Sequence, residues 1–303
     1  MKAMILAAGR GRRLRPLTDA LPKVLVPIVN TPMLERTIEL LSLHGVQEVI
    51  INAHYYYKTI TDYLKRRDSS SIKIELRIEE EILGTGGGIK NTQDFWDERP
   101  FIAINGDILT DINLTDVYAY HQRRANLVTM VLHDVPRYNK LKVDRDMNIL
   151  SISSTPGGRD TLAFTGIQVI EPEVLEYIPE DKQYNIIDCY RQLIQEKRAV
   201  RAYVATGHRW IDVGTIHAYL RANFELLTQE KVVIGPHCCI HPEASLNGLA
   251  VLGSRCSLER GAVVQGSVLW DEVTVREGVR VVDSVVTTGV IVEEDIIGGV
   301  GIQ

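Results

Sequence analysis

Aliphatic residues at a fixed six-residue interval constrain the C-terminal part of this chain more than any other pattern in it. Ile234, Ile240, Leu246, Leu252, Leu258 and Val264 fall in phase, the register slips by one, and Leu269, Val275 and Val281 resume it. Small or turn residues fill the gaps: Gly235-Pro236, Ala244, Gly253, Gly261 and Gly278. A helix repeats roughly every 3.6 residues and a half-buried strand about every 2, so neither makes this period. One inward side chain per short flat strand, with a corner after each, does make it. Three such faces complete one coil of a parallel β-helix. The competing arrangement, an irregular sandwich of alternating valines, gives no reason for the interval to hold. The pattern starts at about Lys231 and divides the chain into residues 1–230 and a β-helix domain over 231–303.

Before that point apolar strands alternate with helices. Met1 to Ala8 reads as a first buried strand. Thr31 as N-cap with Pro32 at the first helical position predicts a helix carrying Met33, Leu34, Ile38 and Leu41, ended by Gly45. Val46 to Asn52 and Ile72 to Ile78 read as strands around a helix over Tyr57 to Arg67. The glycines of 84–88 lead into a helix through Phe95, and Phe101 to Ile104 is a short strand ending on Asn105-Gly106-Asp107. Leu127 to Val135, Leu162 to Ile170 and Val200 to Ala205 are further strands, with a helix over Asn185 to Lys197 and a last one reaching about Gln229. This order predicts an α/β fold: a Rossmann-like, mostly parallel sheet with helices on both faces, followed by a left-handed parallel β-helix. Ligands of such sheets sit outside the carboxyl ends of the strands. The turn after the first strand and Asp107 would both lie there.

That turn is densely basic. Gly9 and Gly11 alternate with Arg10, Arg12, Arg13 and Arg15, and Lys23 follows. The formal net charge is -5, so a general nucleic-acid or anionic-membrane surface is not expected, and the cluster is a local feature. Backbone N–H groups freed by glycines, together with guanidinium and ammonium groups, suit a phosphate ester. The plainer alternative is a strand-to-loop turn with a solvated basic face. Leu14 stands where a dinucleotide fingerprint needs its third glycine, and no glycine-lysine pair completes a P-loop. No apolar run approaches a membrane span, and the opening run is too short for a signal peptide. Cys189, Cys238, Cys239 and Cys256 form no C-x-x-C pair, which suggests reduced thiols and a cytoplasmic protein.

Gly9-x-Gly11-x-Arg13-Leu14-x-Pro16-Leu17-Thr18 with Pro22-Lys23-x-Leu25-x-Pro27 resembles the signature of sugar-1-phosphate nucleotidyltransferases. The resemblance continues through Leu83-Gly84-Thr85-Gly86-Gly87, Asn105-Gly106-Asp107, Phe164-Thr165-Gly166-Ile167 and Trp210-Ile211-Asp212-Val213-Gly214. It spans roughly residues 1–228, and a hexad tail is a common appendage in that family.

The resemblance implies attack by a sugar-1-phosphate oxygen on the α-phosphate of a nucleoside triphosphate, giving a nucleotide sugar and pyrophosphate. Negative charge builds on the leaving group, so fixed cations and Mg²⁺ suit the reaction better than an acid–base pair. Carried over residue by residue, Arg13, Lys23 and Asp107 would be catalytic. Leu6, Ala8, Gly9, Gly11, Arg13, Gly84, Thr85, Gly86 and Asp107 would line the nucleotide, the 84–88 loop meeting base and ribose. Asn105 and Gly166 would meet the sugar phosphate, and Asp107 and Asp212 would bind Mg²⁺. Asn52 and His54, at a strand end, are further pocket candidates with an equally good structural reading. Two departures stand out. Arg12 occupies a position usually Ser or Thr, and Ser153-Ser154-Thr155-Pro156 replaces the Glu-Lys-Pro that supplies a sugar-phosphate lysine. The glycine loop and this lack resemble the N-acetylmuramate-1-phosphate uridylyltransferase branch, whereas the Glu79 to Glu81 run and the tail resemble mannose-1-phosphate guanylyltransferases. The expected substrates are a hexose-1-phosphate, mannose or glucose, with GTP, UTP or dTTP, and a homo-oligomer is expected through the β-helix. Two rivals are a silent nucleotide-sugar sensor and a bifunctional enzyme with acyl transfer at His237 and His241.

Overall fold

The structure, a computed structural model, describes residues 1–67, 72–180, 182–227 and 231–303. Contacts divide the chain into two compact units. One comprises Met1–Arg10 with Arg36–Trp210, the other Gly11–Glu35 with Ile211–Gln303. The boundary expected at 230 and the expected helix end at Gln229 both fall outside the described residues.

The first unit is built on a sheet of nine strands, counted among the described residues: β1 (Lys2–Leu6), β2 (Glu48–Ala53), β3 (Lys73–Ile78), β4 (Phe101–Asn105), β5 (Val128–His133), β6 (Leu141–Val143), β7 (Ile149–Ile152), β8 (Thr161–Ile170) and β9 (Val200–Val204). The run β3-β2-β1-β4 is parallel, β8 is antiparallel to both β4 and β5, and β9 lies parallel to β5. The sheet is thus mixed though mostly parallel, as the alternation of elements implies. Its apolar runs are buried because helices cover them. Met4, Ile50, Phe101, Val128 and Met130 pack with Tyr190 and Leu193 in one core, and burying each apolar side chain stabilises the fold by about 1.5–3 kcal/mol.

The helices are α1 (Met33–Leu43), α2 (Tyr57–Arg66), α3 (Gly84–Lys90), α4 (Leu114–Arg124), α5 (Ile186–Gln195) and α6 (Ile216–Glu225). Asn185 caps α5 by accepting from the Ile187 amide, and Thr215 caps α6 by accepting from the Ala218 amide. Two sequence expectations change. Thr31-Pro32 pairs as a short strand with Pro27-Ile28, so α1 begins at Met33 without the expected cap. The glycines of 84–88 do not precede a helix but form one that stops at Lys90, with a separate 3-10 turn at Gln93–Phe95.

In the second unit the six-residue pattern becomes a stack of parallel ladders. Val232 pairs with Ala250, Ser245 with Val263, Val263 with Arg280 and Thr274 with Ile291, a fold consistent with the β-helix. The offset is 18 residues in the first coils and 17 in the next. The change falls at a bulge between Asn247 and Ala250, and the following coil has one residue fewer between Val264 and Leu269. Leu252, Leu258, Val264, Leu269, Val275 and Val281 are all buried in the stack. The first coil has no earlier coil above it, so Ile234 is 47% exposed and Ile240 and Leu246 are only half-buried. Within the same unit, Val29 N–H donates to Asn223 Oδ1 and Asn30 Nδ2 to the Leu252 carbonyl, each at 2.7 Å. Residues 11–35 therefore fold against the C-terminal part, not with the strand they follow.

Candidate active site

The predicted site residues fall into two groups, one in each unit. In the second unit Gly11 opens the basic turn with φ 63°, and a Cβ there would lie 2.9 Å from Thr18 Cγ2 and 3.2 Å from Lys23 Cβ. Glycine is needed for both reasons. The Gly11 carbonyl accepts from the Leu14 amide and the Thr18 hydroxyl, closing the turn. Leu14, Leu17, Val24 and Leu25 are buried, which anchors the segment and leaves its arginines at the surface. Arg13 Nη2 lies 3.5 Å from Asp212 Oδ2, and Lys23 Nζ lies 3.8 Å from Asp212 Oδ1. Arg15 pairs instead with Asp19 at 3.0 Å, and Arg10 and Arg12 are exposed. Of the four arginines the structure brings only Arg13 to Lys23 and Asp212.

In the first unit the carboxyl ends of the central strands are in register: Leu6 of β1 lies beside Asn52 of β2 and Asn105 of β4. The Gly106 amide donates to the Leu6 carbonyl at 3.0 Å, so the turn bearing Asp107 is tied to the end of β1. Ala8 is buried beyond that end, while Gly9 is exposed with nothing within 4 Å of where a Cβ would sit. Gly166 touches Asn105, its notional Cβ falling 2.7 Å from Asn105 Nδ2. Leu6, Ala8, Gly9, Asn105, Asp107 and Gly166 thus gather at one strand edge, as the parallel-sheet rule implies.

The glycine helix behaves differently. The amides of Gly86 and Gly87 both donate to the Tyr184 carbonyl, and Thr85 Oγ1 accepts from the Ile186 amide at the start of α5. A Cβ on Gly87 would sit 2.5 Å from the Lys182 carbonyl. These glycines let α3 lie directly on the 182–186 backbone. Nearby, a cavity of about 450 Å³ is lined by Arg77, Lys90, Asp94, Glu180 and Lys182. Arg77 is held by Asp94 and Glu75, and Lys90 by Glu180, so its lining is largely self-neutralised.

A model of the family described as "Nucleotidyl transferase" matches residues 2–229. The chain belongs to the nucleotidyl transferase family. It is an enzyme of the sugar-1-phosphate nucleotidyltransferase class. This nucleotidyltransferase is similar to the UTP–glucose-1-phosphate uridylyltransferase of Synechocystis, 28% identical across 94% of this chain and 87% of that one. It is 32% identical to the N-acetylmuramate alpha-1-phosphate uridylyltransferase of Neisseria meningitidis, over 71% of this chain and 94% of the relative. The crystal structure of HddC from Yersinia pseudotuberculosis covers 74% of the chain with a TM-score of 0.64 and 28% identity.

Among the described residues of the nucleotidyltransferase, no three His, Cys, Asp or Glu side chains converge as a ready cation cage. Mg²⁺ does not need one, because it takes one or two carboxylates and completes its shell with water and substrate phosphate. Asp212 fits that requirement: its Oδ1 is buried and accepts no hydrogen bond, leaving a hard oxygen donor available. The rival catalytic pair on the β-helix fits less well. His237 and His241 are exposed, and His241 Nδ1 accepts from the Glu243 amide as an ordinary turn contact. Cys189 and Cys256 are buried, and burial pushes both thiols up to about 12, so they are inert core residues.

Sequence reasoning missed Tyr184 and Glu79. Tyr184 carries no motif, and its role depends on a carbonyl. Glu79 is one of three successive glutamates that the sequence does not tell apart, yet it alone of Glu79, Glu80 and Glu81 is buried. Asn52 and His54 are its hydrogen-bond partners. Asn52 Nδ2 donates to Glu79 Oε1 at 2.6 Å, and the Glu79 carbonyl accepts from His54 Nδ1 at 2.9 Å.

Proposed function

We propose that this enzyme transfers a nucleotidyl group from GTP, UTP or dTTP to mannose-1-phosphate or glucose-1-phosphate, within a catalytic domain over 1–230 followed by a β-helix domain over 231–303. The convergence of Arg13 and Lys23 on Asp212 carries this reading, since it places two cations beside a carboxylate with a spare oxygen. The Synechocystis relative, matched across both parts of the chain, supports a hexose substrate.

In the reaction a sugar-phosphate oxygen bonds to the α-phosphorus and the bond to the β-phosphate oxygen breaks, its electron pair leaving with pyrophosphate. Lys23 and Arg13 hold the triphosphate and balance the charge that grows on the leaving group. Leu6, Ala8, Gly9 and Gly11 offer backbone approach to the nucleotide, with Gly84, Thr85 and Gly86 framing its base. Asn105 and Gly166 orient the sugar phosphate. Mg²⁺, with Asp107 and Asp212 as its protein ligands, would neutralise further triphosphate charge. We also propose a cytoplasmic enzyme that assembles through the β-helix, where Ile291 and Ile297 are more than half exposed.

The test is pyrophosphate release from a panel of triphosphates and sugar-1-phosphates with Mg²⁺. Release with GTP and mannose-1-phosphate, or with UTP or dTTP and glucose-1-phosphate, is expected. Release only with another pair would overturn the substrate assignment.

A further inference from the structure

Two backbone amides in the first unit converge on one buried side-chain pair. Asn52 is 2% and Glu79 3% exposed. Asn52 Oδ1 accepts from the Ala7 amide at 2.8 Å, on the loop that follows β1. Asn52 Nδ2 donates to Glu79 Oε1 at 2.6 Å, and Glu79 Oε2 accepts from the Leu83 amide at 3.1 Å, immediately before α3. The chain Ala7–Asn52–Glu79–Leu83 is therefore continuous, and every link has one sensible polarity. Asn52 must present its oxygen to Ala7, so its amide nitrogen faces Glu79, which must accept on both sides.

Gly88 closes this arrangement from above. A Cβ there would lie 2.7 Å from Asn52 Nδ2 and 2.8 Å from Glu79 Oε1. The last glycine of the run thus seats α3 directly on the Asn52–Glu79 hydrogen bond. Burial raises the Glu79 carboxyl, while the Asn52 and Leu83 donors and nearby His54 oppose the rise. Placing a carboxylate so far from water is costly unless it is satisfied, and here both oxygens are.

We infer that Asn52 and Glu79 are positioning residues for the nucleoside triphosphate: one polar bridge fixes the loop after β1 relative to the turn that opens α3. This rests on the nucleotide role proposed above for those two segments. Neither side chain touches substrate. Their contribution is to hold Ala7 and Leu83 in one geometry, so binding does not have to order the two segments separately.

The polarity of the bridge supplies its own test. Glu79→Gln leaves an amide facing the Asn52 amide, and Asn52→Asp leaves two carboxylates facing each other. Each single substitution breaks one link. Combining them reverses the donor and acceptor between positions 52 and 79 and restores all three hydrogen bonds at unchanged net charge. Each single variant is expected to raise KM for the triphosphate about tenfold, while KM for the sugar-1-phosphate stays within about twofold. The double variant is expected to return the triphosphate KM to within about threefold of wild type. Unchanged triphosphate KM in the single variants, or a double variant that regains melting temperature but not KM, would overturn the inference. Amide exchange at Ala7 and Leu83 reads the bridge without substrate. Both amides should lose protection in Glu79→Gln and regain it in the double variant, and independent behaviour of the two would refute the coupling. Absence of turnover by wild type with every substrate pair would instead count against the parent reading, and the exchange data would still decide whether the bridge exists.

Discussion

At 13% and 17% exposure, the side chains of Lys23 and Asp212 lie 3.8 Å apart with little water to screen them. Lys23→Met removes a charge meant for the triphosphate and leaves the carboxylate to Arg13, which is 63% exposed. A loss of about 10²–10³ in kcat/KM is expected, with a small change in melting temperature, measured by pyrophosphate release and thermal denaturation. A second residue-scale prediction concerns His121, which is fully buried on α4. Asn126 donates to Thr129 Oγ1, whose hydroxyl is then directed to His121 Nδ1, and Nε2–H reaches Glu171 Oε1 at 3.2 Å. A neutral ring protonated at Nε2 satisfies that network, and the buried site favours it. Desolvation lowers its pKa from 6.5 to about 4. Between those values the unfolded chain takes up a proton that the folded one refuses. The His121 contribution is therefore complete above pH 6.5, falls as pH drops through that window, and levels off below about 4. The loss is of order 3 kcal/mol, visible in urea denaturation across the window, and His121→Gln should remove most of the slope.

Among the elements, α3 shows how far a glycine run can mislead. Read as sequence, Gly84-Thr85-Gly86-Gly87-Gly88 is a loose loop, because glycine is among the poorest helix formers. In the fold it is a helix, since Tyr184, Lys182 and the Asn52–Glu79 pair press so closely that no side chain fits. Gly87→Ala is expected to cost about 1–3 kcal/mol by overpacking against the Lys182 carbonyl, despite the better helix propensity of alanine; a denaturant titration checks it. The β-helix coils were legible in far more detail. One inward aliphatic per face is a local rule, and even the one-residue slip after Val264 has its counterpart in the shortened coil. Leu258→Ala, in the middle of that stack, should cost about 2–5 kcal/mol in the same measurement.

For the whole molecule, the decisive chemical prediction is metal dependence. Chelation of divalent cations should abolish pyrophosphate release by at least about a hundredfold, and added Mg²⁺ should restore it. Retention of full activity in the chelator would remove Asp107 and Asp212 from the metal role. By itself, the sequence determined the fold class, the strand edge that gathers Leu6, Asn105 and Asp107, and the family, because periodicity and turn chemistry are properties of neighbouring residues. It also gave the candidate catalytic groups, since glycine and cation spacing survive as a linear motif. Tertiary structure alone decided that residues 11–35 belong with the C-terminal unit, and that Trp270 Nε1 donates to Tyr219 Oη, which in turn donates to the Pro27 carbonyl. It alone buried Glu79 from among three successive glutamates and tied it to Asn52 and Leu83. Those choices depend on partners tens to hundreds of residues away, which set burial and hydrogen bonding but leave no pattern in the chain around the residue itself.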